Sequence, residues 1–215
     1  MFRHLPLSVF APVFAPVFAP VFAFVFAMTL AACSPPASTA VDCNTPVATS
    51  GKALIGGDWT LTDHTGATRT AEDYLGKPQL VYFGFAFCPD VCPAALQRMG
   101  AMSRVIDPDG ERLNYLFFTV DPERDTPDAL APYVASNGFA PGLVGLTGSR
   151  EASEAAQETF KIYAAKRELD SASDYLYDHS DYIIVLDEAG EFHDIIGPDE
   201  DVQTAAICLA QSLDI

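Results

Sequence analysis

The sequence predicts an α/β domain built on a mixed sheet, and three observations lead there. Short apolar runs rich in aromatic and β-branched residues, at 80–87 and 113–120, have the length and composition of buried strands. Helical periodicity follows the first of them at 94–106, where Leu96, Met99, Met102, Val105 and Ile106 share one face. Strands alternating with helices imply parallel crossovers, whereas the late pair 181–187 and 191–196, joined by a turn at 188–190, implies antiparallel strands. The 215 residues and 49% apolar content suffice for one domain with a sizeable core.

Residues 1–32 read as a targeting segment. They open with Arg3 and His4, run through five tandem copies of V-F-A-x from Val9 to Met28, and end at Leu30-Ala31-Ala32-Cys33. That last tetrapeptide resembles the lipobox at which bacterial lipoproteins are cleaved and acylated on cysteine. The apolar stretch is long enough to span a bilayer, but Pro12, Pro16 and Pro20 within it and the lipobox after it favour a cleaved signal peptide. Lipid on Cys33 then makes the chain a membrane-anchored lipoprotein facing the periplasm or extracytoplasmic space. Residues 33–55 are small, polar and proline-containing, a tether; the domain is 56–215.

Within the domain, 59–70 alternate around Gly66 as an N-terminal hairpin with His64 solvated at its turn. After the strand at 113–120, the loop D-P-E-R-D-T-P offers Thr126 or Asp125 as helix cap and Pro127 in the first turn; that helix runs to Asn137 and stops at Gly138. A short strand at 143–147 precedes a helix capped by Ser149 and containing Glu151, Ala152, Ala155, Ala156 and Phe160. Residues 163–177 are mixed and polar, with no element assigned, and 199–213 close the chain as a helix. This order fits a thioredoxin-like mixed sheet flanked by helices, with an N-terminal hairpin and a late β-hairpin insertion.

Charge narrows the function. The net charge is −17, and residues 33–215 hold 11 basic against 29 acidic side chains. Such a surface disfavours nucleic acid and anionic partners and tolerates cations and basic faces.

The chemistry concentrates at 80–92, L-V-Y-F-G-F-A-F-C-P-D-V-C, where a strand delivers two thiols to the start of a helix. The helix N-terminus favours thiolate over thiol. With three residues between them, Cys88 and Cys92 lie about one helical turn apart and suit a soft cation, Cu(I) above all, or a disulfide. A metal site wants a third ligand, and His179 precedes the late strand, in the loop that faces the dithiol turn of a thioredoxin-like sheet. Dithiol oxidoreductases place a cis-proline there; here no proline occurs from Ala165 to Asp187. His193 reads as structural. Cys43 and Cys208 lie outside these patterns and suit a disulfide pinning the tether to the last helix, or a buried apolar thiol at 208.

C-P-D-V-C-P at 88–93, T-V-D-P-E-R-D-T-P at 119–127 and Y-D-H-S at 177–180, in this order, resemble the Sco/SenC family. These are membrane-tethered, thioredoxin-like copper proteins that assist assembly of the dinuclear copper centre of cytochrome c oxidase. The resemblance implies one copper ion per domain, as Cu(I) or Cu(II), on Cys88, Cys92 and His179. It places Asp121 and Asp178 beside the site, where they would orient its ligands. It implies cytochrome c oxidase subunit II, or another copper acceptor or donor protein, as partner. On this reading the chain is a metallochaperone rather than an enzyme. The alternative is a thiol–disulfide oxidoreductase acting on the cysteines of the copper acceptor, in which Cys88, the more exposed thiol, attacks and Cys92 resolves.

Overall fold

The computed structural model describes Val41, Cys43 and residues 54–169 and 175–215; the stretch read as a targeting segment, Cys33 and most of the stretch read as a tether lie outside the described residues. Three strands form the centre: β3 (Gln79–Gly84), β4 (Asn114–Thr119) and β5 (Val144–Thr147), after β1 (Thr60–Asp63) and β2 (Thr68–Thr70) at the start of the domain. β3 runs parallel to β4 and β4 to β5. Every residue of β3, and all of β4 but Asn114, is buried. Burial on both faces is why these strands read as continuous apolar runs instead of alternating ones.

The antiparallel strands flank this core. β1 pairs with β5 and with β2. On the other side β8 (Ile183–Leu186) pairs with β3, and β9 (Phe192–Ile196) with β8, giving the order β2-β1-β5-β4-β3-β8-β9. The expected N-terminal and late hairpins are both present. His64, however, is half-buried rather than solvated: its Nδ1 accepts from the Gly145 amide and its own amide donates to the Gly145 carbonyl, tying the first turn to β5.

Helices cover both faces. α1 (Val91–Ile106) starts three residues before the periodic stretch, because the Asp90 carboxylate accepts from the Val91 amide. Leu96, Met99, Met102 and Ile106 are buried as expected, but Val105 is 39% exposed. α2 (Pro127–Val134) is capped by Thr126 and ends earlier than the sequence suggests. Pro132 within it lacks an amide donor, and the chain leaves the helix at Ala135, three residues before Gly138 turns with φ +92°. α3 (Arg150–Thr159) is capped by Ser149, and α4 (Val202–Ser212) by Asp201. Where α1 crosses the loop after α2, a side chain at residue 100 would come within 2.0 Å of the Gly138 carbonyl, so only glycine allows that approach.

The stretch at 163–177 departs from its unassigned reading. β6 (Ala164–Glu168) and β7 (Tyr175–His179) form an antiparallel pair that, among the described residues, pairs with no other strand. Its residues are half-buried or exposed, so it carries no strong apolar pattern to mark it. Aromatic packing fills one face of the main sheet: Phe83 stacks on its cross-strand neighbour Phe118 at 4.7 Å, and Phe160 and Trp59 lie against them.

Cys43 and Cys208 form a disulfide, with Cα atoms 5.2 Å apart and a separation of 165 positions in sequence. In the chain-entropy account a closure of that length stabilises by about 3–5 kcal/mol, less the cost of ordering the tether. Reduction, or Cys208→Ser, is expected to lower the unfolding free energy by an amount within that range. Denaturant melts with and without reductant check it, and Cys208→Ser should abolish the difference between them.

Candidate metal centre

The site lies where β3 stops. Beyond Gly84 the chain turns through residues 85–90, with the Cys88 amide bonded to the Phe85 carbonyl at 3.1 Å, and enters α1 at Val91. Cys92 is therefore the second residue of the helix, and its amide points back to the Cys88 sulfur at 3.4 Å. Both thiols are free; Cys92 has no exposed surface and Cys88 retains 8%. Cys88 is thus the more accessible of the two, as expected.

His179 does not sit in a loop before the late strand. It ends β7, opposite Ala164, and the hairpin brings it in from outside the main sheet. Its Nε2 lies 3.3 Å from the Cys92 sulfur, and its Nδ1 lies 2.9 Å from the Ser180 carbonyl. A carbonyl only accepts, so Nδ1 carries a proton, and in the neutral imidazole Nε2 turns its lone pair toward the thiols. The rings of Tyr82 and Phe85 meet the imidazole edge to face at 6.1 and 5.9 Å, and the Tyr82 hydroxyl donates to Asp181. The two sulfurs and one imidazole nitrogen all fall within 4.8 Å of one another. Two soft sulfur donors and an imidazole form a donor set that fits a soft or borderline cation and excludes hard ones.

The electrostatics distinguish the two thiols. Cys88 is pulled down to about 4, first by the Cys92 thiol donating to it, against the opposing effect of burial, and further by His179 and the amides of Cys92 and Asp90. The helix N-terminus contributes, but the neighbouring thiol contributes more. Cys92 is pushed up by the adjacent Cys88 sulfur and by burial. Burial would lower the His179 pKa, but the Cys88 sulfur and the Ser180 carbonyl outweigh it and raise it.

The two aspartates named from the motifs have different fates. Asp121 is fully buried and bonded to Arg124 and to the Tyr175 hydroxyl, so it acts on the hairpin that carries His179. Asp178 precedes His179 on a strand, so alternation turns it to the opposite face, where it pairs with Arg167 at 3.5 Å and is more than half exposed. That direction sets it away from the thiols. Cys33 lies outside the described residues.

Three contributors escaped the sequence reading. Gly84 faces Cys92: a Cβ there would lie 2.8 Å from the sulfur and 3.2 Å from the Phe117 ring. Asp125, read as a possible helix cap, is instead fully buried and accepts from Thr119 and from the Ala86 amide of the dithiol loop. Its burial pushes its pKa up to about 6. Arg124 stacks on Tyr175. A glycine at a strand end was the only visible signal among these.

Fold and site together define a thioredoxin-like dithiol protein with a histidine set against its cysteine pair. The chain belongs to the SCO1/SenC family, whose model matches residues 47–214. It is 43% identical over 152 residues to the human SCO1 homolog, mitochondrial, a match covering 68% of this chain and 49% of the relative. The chain thus spans about half the length of that curated relative. Among solved structures it is similar to Bradyrhizobium japonicum ScoI with copper bound, at 34% identity and TM-score 0.67, covering 74% of this chain and 99% of that one. It is also similar to Arabidopsis thaliana ScoI with copper bound, at 34% identity and TM-score 0.69, covering 74% and 98%.

Two outcomes test this geometry. The alkylation rate of Cys88 should stay flat as pH falls through the ordinary thiol range and drop only near its pKa of about 4, where the thiolate protonates. Cys92→Ala, which removes the strongest donor, should move that inflection upward. Gly84→Ala should displace the Cys92 sulfur and destabilise the domain by about 1–3 kcal/mol, as overpacking does, read by denaturant melts.

Proposed function

We propose that this domain carries one copper ion on Cys88, Cys92 and His179 and delivers it during assembly of the dinuclear copper centre of cytochrome c oxidase. The observation that carries the reading is the convergence of two sulfurs and one imidazole nitrogen within 4.8 Å. The thiolate of Cys88 and a thiolate formed at Cys92 supply the softness that Cu(I) prefers. With Nδ1 holding its proton on the Ser180 carbonyl, the neutral imidazole offers Nε2 to the metal without a change of tautomer. Copper on relatives of the same fold supports the cargo. The metal is cargo: it passes to soft ligands on a partner, cytochrome c oxidase subunit II or another copper protein, by exchange of one ligand at a time. The lipobox at Cys33 supports tethering of the domain to a membrane outside the cytoplasm.

A second activity has its own support in the low Cys88 pKa and the burial of Cys92. The Cys88 thiolate attacks an acceptor disulfide and releases one acceptor thiolate. Cys92, once deprotonated, attacks the Cys88 sulfur and releases the rest of the acceptor. Two electrons pass to the acceptor, leaving Cys88 and Cys92 joined. This would reduce the acceptor cysteines before copper arrives.

Anaerobic copper titration of the reduced full chain tests the first reading. One equivalent should bind in the wild type, and Cys88→Ser or Cys92→Ser should abolish stoichiometric binding. His179→Ala should weaken it at least tenfold, the loss of about 1.4 kcal/mol or more, and remove the nitrogen contribution from X-ray absorption. Wild-type binding by His179→Ala would leave only the dithiol exchange reading.

A further inference from the structure

His179 is supplied by a two-stranded hairpin that, among the described residues, makes no strand pairing with the main sheet. An isolated hairpin of this size is marginal on its own. Its placement must come from ties made elsewhere, and they can be traced. At the His179 end, the Ser180 amide donates to the Tyr163 carbonyl and the Tyr163 amide to the Ser180 hydroxyl. Both bonds lie within the hairpin's own base. There the imidazole also meets the rings of Tyr82 and Phe85, and the Tyr82 hydroxyl donates to Asp181 just beyond it.

A second group of ties to the rest of the protein lies at the other end of β7, on Tyr175. The guanidinium carbon of Arg124 lies 3.7 Å from the centre of the Tyr175 ring, and Arg124 Nη1 donates to the Tyr175 carbonyl at 3.2 Å. Arg124 Nε donates to Asp121 Oδ2. The Tyr175 hydroxyl donates to the other oxygen, Oδ1, at 2.9 Å. Asp121, Arg124 and Tyr175 therefore close a ring of three contacts around a fully buried carboxylate. The same guanidinium lies 4.9 Å from the ring of Phe87 and 5.8 Å from that of Phe85, both in the dithiol loop. Phe85 in turn meets Tyr177 and His179. One side chain thus touches the turn after β4, the loop that carries Cys88, and the strand that carries His179.

We propose that Arg124 is a positioning residue for His179, clamping the start of β7 to Asp121 and to the dithiol loop so that the imidazole is held against Cys92. The inference rests on His179 acting as a copper ligand, as argued above. Lysine cannot replace arginine here, because a single ammonium lacks the planar fork that serves Asp121 and the Tyr175 carbonyl while lying flat on the ring.

The test compares four full-length chains: wild type, Arg124→Gln, Tyr175→Phe and His179→Ala. In the metal-free proteins, hydrogen exchange of the amides at 176–179 should speed up about tenfold in Arg124→Gln, with β3 and α1 unchanged. Tyr175→Phe, which removes only the hydroxyl arm, should show a smaller change in the same direction. With copper added, Arg124→Gln should keep one equivalent of Cu(I) on the thiols while its nitrogen contribution falls toward that of His179→Ala. If Arg124→Gln matches wild type in exchange and in nitrogen signal while His179→Ala loses that signal, the clamp is refuted and the ligand reading stands. If His179→Ala keeps the wild-type signal, the ligand reading fails and the proposal falls with it, whatever the exchange shows. If Arg124→Gln does not fold, Tyr175→Phe decides, and wild-type exchange and nitrogen signal in that variant overturn the proposal.

Discussion

Cys92 has no exposed surface because its sulfur fills the space that a side chain at residue 84 would take. A sulfur packed this way is closed off on the β3 side and meets Cys88 and His179 on the other. The surroundings follow from that restriction. β3 has to end in glycine, and the chain has to return over the strand end within six residues. The helix has to begin at Val91, so that its second residue drops into the gap. α1 is then held close to the loop after α2 by a second glycine, Gly100, against the Gly138 carbonyl. Backbone proximity at these two points acts together with the buried apolar face of α1, Leu96, Met99 and Met102, to set the dithiol's position.

Where the pattern in the chain was strong, the reading of it held. Continuous apolar strands, Ser149 and Thr126 as caps, and the late hairpin were all visible, because each arises from local preference and burial acting together. The paired cysteines at a strand–helix junction were visible for the same reason. What escaped is what tertiary contact decides. The β6–β7 hairpin is half-exposed and polar, so nothing in its composition separates it from a loop, and this moved His179 from a loop to a strand end. The resemblance set Asp178 beside the site, yet alternation along β7 turns it to the face opposite His179, onto Arg167. Asp125 looked like a cap and is instead a buried acceptor for Thr119 and the Ala86 amide. Arg124 carried no signal at all, since its role depends on three segments far apart in the chain.

The thiols also show how local donors override the overall field. A net charge of −17 disfavours any further anion. Surface charges more than about 10 Å away are nevertheless screened by salt, whereas contacts inside the protein are not. The Cys92 thiol, the imidazole and two backbone amides act on Cys88 from within hydrogen-bonding range, and their sum decides its state. The acidic surface is left to act at longer range, drawing cations inward and discouraging anionic macromolecules.

The bond between Cys43 and Cys208 changes the connectivity of the molecule as well as its stability. Without it, everything upstream of the domain would be joined to it by a single backbone path entering at β1. With it, there are two paths, and the second enters through α4. A single proteolytic cut between residues 44 and 54 therefore leaves the domain covalently attached to whatever holds its N-terminal end. For a cut in that stretch, release requires a reductant as well. Between Cys43 and the domain the attachment is a closed ring rather than a line.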